Sequence, residues 1–199
     1  MKGKLITLEG IDGAGKSTVL DFLRNHPVFG KAVFTREPTT NWTGEAVERA
    51  IHSDTDPMAE LLLFTADHAD HISRVIRPTM REGRNVISDR YSDSRIAYQT
   101  VTLQGILEDP AQWIKKLHHG WTIEPDLTLL LDLDPAIAVS RCNTREVQTK
   151  FEKIDFLNKV RENFLKLAGK EPERFCVIDA SQNVDDVKKQ ITEALTNLF

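Results

Sequence analysis

The sequence predicts a three-layer α/β sandwich, with a five-stranded parallel sheet flanked by helices on both sides. Three observations carry that expectation. Five short apolar runs alternate with stretches of helical spacing, and strands separated by helices join in parallel through right-handed crossovers. The runs are nearly all apolar rather than alternating, as strands buried on both faces are. The first run stops at a glycine-rich loop that leads directly into a helical stretch.

In chain order, Lys4–Glu9 (KLITLE) reads as the first strand and Lys16–Arg24 as a helix with Val19, Leu20 and Leu23 on one stripe. Ala32–Thr35 is the second strand, and Pro38 with the polar residues after it marks a loop. Gly44–Ile51 reads as a helix. Pro57 opens a longer one, whose buried side is expected to carry Leu61, Leu62, Phe64, Ile72, Val75 and Ile76. Asn85–Ser88 (NVIS) is the third strand, followed by a helix around Arg95–Leu103. Pro110 stands at a favourable first helical position and opens a helix through Lys116. Leu127–Leu133 (LTLLLDL) is the most strand-like run, and Pro135 begins a helix that ends near Arg141. Cys142–Lys150 is polar and poor in large apolar residues, and is expected to be a mobile excursion. A helix over Glu152–Ala168, a strand over Phe175–Ile178 and an amphipathic helix over Val184–Phe199 follow. With 199 residues and no internal repeat or linker, the expectation is one domain over residues 1–199 with a lid segment at about 142–152.

Composition narrows the function. Hydrophobic residues make up 40%, enough for a sizeable core, and the formal net charge is only -4. That balance argues against a general nucleic-acid binder, which carries a basic face. No apolar run approaches the roughly 20 residues that span a membrane, and Met1–Lys4 leads into a strand without a signal-peptide pattern. Two cysteines far apart, Cys142 and Cys176, fit a reducing cytoplasm better than a disulfide framework. The histidines, including the His68/His71 pair and His118–His119, show no convincing metal-ligand spacing.

The chemistry begins at Gly10-Ile11-Asp12-Gly13-Ala14-Gly15-Lys16-Ser17, with Thr18 after it, a full phosphate-binding loop set between strand and helix. Its glycines let the backbone turn sharply and bring N–H groups against phosphate oxygens, and the following helix adds its positive end. Lys16 is placed to reach the β/γ-phosphates of ATP and the Ser17 hydroxyl to meet Mg²⁺. The loop alone does not separate a kinase from a switch GTPase or a motor ATPase. Two arginines do. Arg36 lies just beyond the second strand and Arg90, in Asp89-Arg90-Tyr91, closes the third. At the strand ends where parallel sheets place their ligands, they can converge on one doubly charged phosphate.

The collinear order LEGIDGAGKST, TREP, GEAVERAI, LLLFTADHADH, IRPTMREGRNVISDRYSDSRIAYQ, EPDLTLLLDLDPAIAVSR and VIDASQ resembles the thymidylate kinases over nearly the whole chain. That resemblance implies phosphoryl transfer from ATP to dTMP with Mg²⁺, in a homodimer. It implies Asp12 near the acceptor sugar and phosphate, Arg36 and Arg90 on the dTMP phosphate, and Phe64 stacked on the base. Tyr98 would crowd the position of a 2′-hydroxyl, and Asp89 would help to hold Mg²⁺ through water. Ala180 and Ser181, in Asp179-Ala180-Ser181, resemble the family loop that skirts the adenine. A phosphate acceptor is already ionised near neutrality, so Asp12 is assigned to positioning and metal contact rather than to proton abstraction.

The loop residues Ile11 to Ala14 include no base, so the charge on the transferred phosphoryl group is expected to be met by lid arginines. Among Arg141, Arg145, Lys150 and Lys153, Arg145 is assigned to the ATP phosphates and Arg141 to a place near the adenine. The base pocket departs from the family. His68 stands where many members carry an arginine that bonds a thymine carbonyl, and Arg95 stands where a small polar residue is common. Either Arg95 supplies the relocated guanidinium, or it faces solvent while His68 contacts the base weakly or not at all. Phe151, followed by Glu152, replaces a lid tyrosine. Two rivals bound the reading: a deoxynucleoside kinase, which needs a base beside a sugar hydroxyl, and a regulatory nucleotide binder without turnover.

Overall fold

The computed structural model describes residues 2–142 and 153–199. Arg145, Phe151 and Glu152 lie outside them. Strand β1 (Leu5–Glu9), buried along its whole length, is the centre of the sheet. It pairs in parallel with β3 (Val86–Asp89) on one side and β4 (Leu127–Asp132) on the other. Strands β2 (Val33–Arg36) and β5 (Phe175–Asp179) complete the order β2-β3-β1-β4-β5. Strands β1 and β3 alternate their apolar side chains between two cores, as the pleat requires. Ile6, Leu8 and Ile87 join the larger cluster with Leu129, Leu131 and Phe164, whereas Leu5 and Val86 join Ile72, Ile76, Met80 and Tyr91.

The chain passes from β1 out to β2, returns to β3, and then crosses β1 to reach β4. The order therefore reverses at β1, and the carboxyl ends around a reversal form the crevice in which open α/β sheets bind ligands. Register brings the useful residues level there, because Asp89 is the partner of both Leu8 and Arg36.

The helices are α1 (Lys16–Arg24), α2 (Trp42–Ile51), α3 (Pro57–His71), α4 (Arg77–Arg81), α5 (Ser92–Thr102), α6 (Pro110–His118), α7 (Pro135–Cys142), α8 (Ile154–Lys170) and α9 (Val184–Thr196). Most ends fall within two or three residues of expectation. Helix α5 begins three residues early for a tertiary reason: the Glu9 carboxyl oxygen Oε1 accepts the backbone N–H groups of Tyr91 and Ser94, so a distant strand caps it. The long helix expected from Pro57 is interrupted by a π-helical turn at Ile72–Ile76. Pro78 has no N–H, and its ring crowds the carbonyl four residues back, so the turn widens.

The buried side of that long helix differs from the apolar reading. Leu61, Ile72 and Ile76 are buried, but Leu62 is 48% exposed, while Asp67, His68 and His71 are fully enclosed. These polar residues hold the segment after β2. Asp67 accepts from the Thr39 N–H (2.8 Å) and from the hydroxyls of Thr39 (2.5 Å) and Thr43 (2.8 Å). Gly44 completes this junction, since a Cβ there would lie 1.9 Å from the Thr39 carbonyl oxygen.

Candidate active site

A cavity of about 560 Å³ opens at the carboxyl ends of β1, β2 and β3. Its floor is the glycine loop. Gly10 adopts φ 137°, and a Cβ there would sit 2.6 Å from the Leu131 carbonyl oxygen, so only glycine lets the chain leave β1 this closely. Gly15, at φ 97°, starts α1, and no side chain caps that helix. Its first N–H groups, together with the positive end of the helix dipole, are left for an anion. Lys16 folds back over the loop and donates to the carbonyls of Gly10 (3.2 Å) and Ile11 (3.0 Å). Burial and the nearby Arg90 charge pull its pKa down to about 8. Ser17 and Thr18 are exposed, while Ile11 and Ala14 turn their side chains into the core and can offer a ligand only their backbone.

Arg90 adopts φ 65°, an uncommon conformation for a side chain of this size. The conformation is held from several directions. Nη1 donates to the Gly10 carbonyl (3.1 Å) and the Ser94 hydroxyl (2.9 Å), and Nη2 donates to Asp12 (2.8 Å) and the Tyr98 hydroxyl oxygen (3.3 Å). Burial opposes its charge, but Tyr98, Asp12, Asp89 and Glu9 outweigh burial and keep it cationic. Behind it, Ser94 donates to Glu9 at 2.5 Å. Burial and the neighbouring Asp93 push the Glu9 carboxyl up to about 8. Asp89 lines the cavity, and its Oδ1 is buried with no hydrogen-bond partner among the described residues.

On the β2 side, Arg36 is exposed, lines the cavity and makes no hydrogen bond or ion pair among the described residues. Phe64 and Tyr98 also line it, as does Arg141 at the end of α7. Arg95 lies in the wall and is only 2% exposed, so it does not face solvent. Its Nη1 donates to Glu37 (2.5 Å) and its Nε to His118 (3.2 Å), while Nη2 is buried without a partner among the described residues.

His68 sits behind that wall. Its ring is fully buried, bonded to Glu37 (2.8 Å) and Thr122 (3.2 Å), and packed edge-on to Tyr91 and Trp121. Burial and the Arg95 charge push it down to about 4, so it is neutral near pH 7. Of the two expectations for this pair, the geometry places Arg95 at the cavity and His68 out of it.

Ala180 and Ser181 follow β5 at the edge of the sheet and are not among the cavity-lining residues. Asp179 holds that turn by accepting from the Ser181 N–H and hydroxyl. Three residues in and around the cavity were not anticipated. Glu9 and Glu37 were hidden as ordinary acids beside a strand end. Gln99, 2% exposed, lines the cavity and makes no side-chain hydrogen bond among the described residues. Its spacing from Arg95, one helical turn, was the available signal.

Comparison with known proteins points to one family. The family described as thymidylate kinase matches residues 8–191. A relative from Methanococcoides burtonii named "probable thymidylate kinase" is 64% identical over 199 residues, covering 100% of this chain and 99% of that protein. Relatives of the same name from Methanosarcina mazei and Natronomonas pharaonis are 59% and 49% identical, with 96% and 98% of this chain and 94% and 98% of theirs covered.

Proposed function

This chain belongs to the thymidylate kinase family, and from that premise we infer how its cavity carries out the reaction, the transfer of the γ-phosphoryl group of ATP to dTMP to give dTDP and ADP. The observation that carries the assignment of sites is the pairing of two arginines, Arg36 and Arg90, with a phosphate-binding loop around one cavity. The loop N–H groups and Lys16 take the donor phosphates. Arg36 and Arg90 take the acceptor phosphate, with Arg90 aimed by Asp12 and Ser94. Catalysis of this kind rests on in-line placement and on neutralising charge, and neither demands a covalent residue.

The residues present suit Mg²⁺. The Ser17 hydroxyl and the orphaned Asp89 Oδ1 form an oxygen donor set of the hard type this ion takes, Asp89 acting through water. Bound there with ATP, Mg²⁺ supplies charge neutralisation on the phosphates. Phe64 stacks on the base, Tyr98 fills the space of a 2′-hydroxyl, and Arg95, rather than His68, donates to the base carbonyl. Arg141 lies near the adenine. Arg145, outside the described residues, is assigned to the transferred phosphoryl group because the loop carries no basic residue between Gly10 and Gly15. Family membership also supports a cytoplasmic homodimer. Among the described residues, no helix is long and apolar enough to cross a membrane.

The test is a coupled assay with ATP and a panel of nucleoside monophosphates, in which dTMP is expected to have the highest kcat/KM. Turnover of a nucleoside but of no monophosphate would overturn the assignment of the arginine pair.

A further inference from the structure

The Glu37 carboxylate gathers three donors from two helices. Oε1 accepts from Nδ1 of His68 (2.8 Å) and of His71 (2.7 Å), both on α3, and Oε2 accepts from Arg95 Nη1 (2.5 Å) on α5. The imidazoles are fixed in turn, His71 by the Thr35 hydroxyl (2.7 Å) and His68 by that of Thr122 (3.2 Å). Both Nδ1 atoms carry the proton, because each faces a carboxylate oxygen, and the Nε2 atoms accept from the threonines. Burial works against the Glu37 charge, but the adjoining cation and the imidazole donors outweigh it, so Glu37 stays ionised. This buried cluster offers its cavity-side arginine no freedom: Nη1 is held by Glu37, Nε is spent on His118, and only Nη2 is left over. A guanidinium held at both Nη1 and Nε, with Nη2 between them left unpaired in a side chain that lines the cavity, is a donor fixed in place before any ligand arrives.

We propose that Glu37 is a positioning residue for base selection, holding Arg95 so that Nη2 donates to the 4-carbonyl of the pyrimidine. The proposal rests on the reading of Arg95 above, and the two can fail separately. Glutamine at position 37 keeps the size but removes the negative charge opposite Arg95 and turns an amide N–H₂ toward either the guanidinium or the two imidazoles, so the hold on Arg95 is weakened.

The experiment measures kcat and KM for dTMP and dUMP, and the inhibition constant of dCMP, in the full chain and in Glu37→Gln, Arg95→Ala and the double variant, with melting curves for each. Loss of one charge-assisted bond should raise KM for dTMP and dUMP by about tenfold or more. The dCMP constant and kcat should stay within about twofold, and the double variant should be no worse than Arg95→Ala. A selective loss in Arg95→Ala with unchanged KM in Glu37→Gln overturns the positioning role and leaves the Arg95 reading standing. No effect of Arg95→Ala overturns that reading itself. An equal loss for all three bases in Glu37→Gln overturns selection in favour of general support of the fold. Should Glu37→Gln fail to fold, His71→Asn, which removes one of the groups fixing Oε1, is expected to show the same selectivity at smaller size, and an unchanged dTMP/dCMP ratio there overturns the proposal.

Discussion

Arg36 and Arg90 are expected to serve one phosphate, yet their surroundings differ, and so should their variants. Arg36 is exposed and makes no ion pair among the described residues, so Arg36→Ala should raise KM for dTMP while changing stability by no more than about 0.5 kcal/mol. Arg90 sits against Asp12 with Glu9 and Asp89 nearby. Removing it leaves the part-buried Asp12 and Asp89 without their cation, which costs about 1–3 kcal/mol in addition to the loss of activity. Kinetics and denaturant melts on the two variants check this, and equal destabilisation would contradict it.

Glu9 gives a second test at this scale. Its carboxyl is protonated up to about pH 8 in the folded chain, against 4.5 as the ordinary value. The folded state keeps a proton that the unfolded chain releases, so this contribution is complete below about pH 4.5 and is lost as pH rises through about 8. His68 has the opposite sign. Its pKa falls from 6.5 to about 4, so its contribution is present above about pH 6.5 and lost as pH falls through 4. The two offset each other between roughly 4.5 and 6.5, while Lys16, lowered to about 8, adds dependence only above that. Between about pH 6.5 and 8, Glu9→Gln should therefore flatten a decline in melting temperature that the parent protein shows. An identical slope in both would remove Glu9 as its source.

At the scale of elements, the segment from β2 to α2 is held by polar groups of α3 rather than by apolar packing. Asp67, His68 and His71 recur at helical spacing along one face, with Phe64 a turn before them on the cavity side. The sequence predicts an apolar face here, and Leu61, Ile72 and Ile76 are indeed buried. The polar part was illegible because each of these residues is satisfied by a partner distant in sequence, such as Thr39 for Asp67. A close approach depends on this arrangement. Gly44→Ala would drive a Cβ into the Thr39 carbonyl, so α2 must retreat, with an expected loss of about 1–3 kcal/mol in denaturant melts. Full stability in that variant would mean that the junction yields freely. The strand boundaries, by contrast, were readable to within a residue or so, because they follow from short apolar runs that stop at polar or glycine residues.

For the whole molecule, the sheet order turns several local motifs into one site. Placing β1 between β3 and β4 gathers the glycine loop, Arg36 and the Asp89–Arg90 turn around a common cavity, although nearly eighty residues separate the loop from the turn. We propose that charge on the transferred phosphoryl group is met in part from beyond the loop, since its residues between Gly10 and Gly15 include no base. Arg145→Ala is therefore expected to lower kcat by orders of magnitude with little change in KM for dTMP. Unchanged kcat would assign that charge to another group.

The sequence by itself determined the α/β class, the phosphate loop, the arginine pair and the family, because all of these rest on short-range features: hydrophobic period, glycine spacing and contiguous motifs. Only the tertiary structure decided which polar residues are enclosed and whom they serve. Glu9 caps a helix and braces the Arg90 turn, Glu37 unites α3 with α5, Arg95 reaches the cavity wall and His68 stands behind it. The physical reason is that a buried charge is tolerable only beside its partner, and these partners lie dozens of residues apart, where no local pattern can record them.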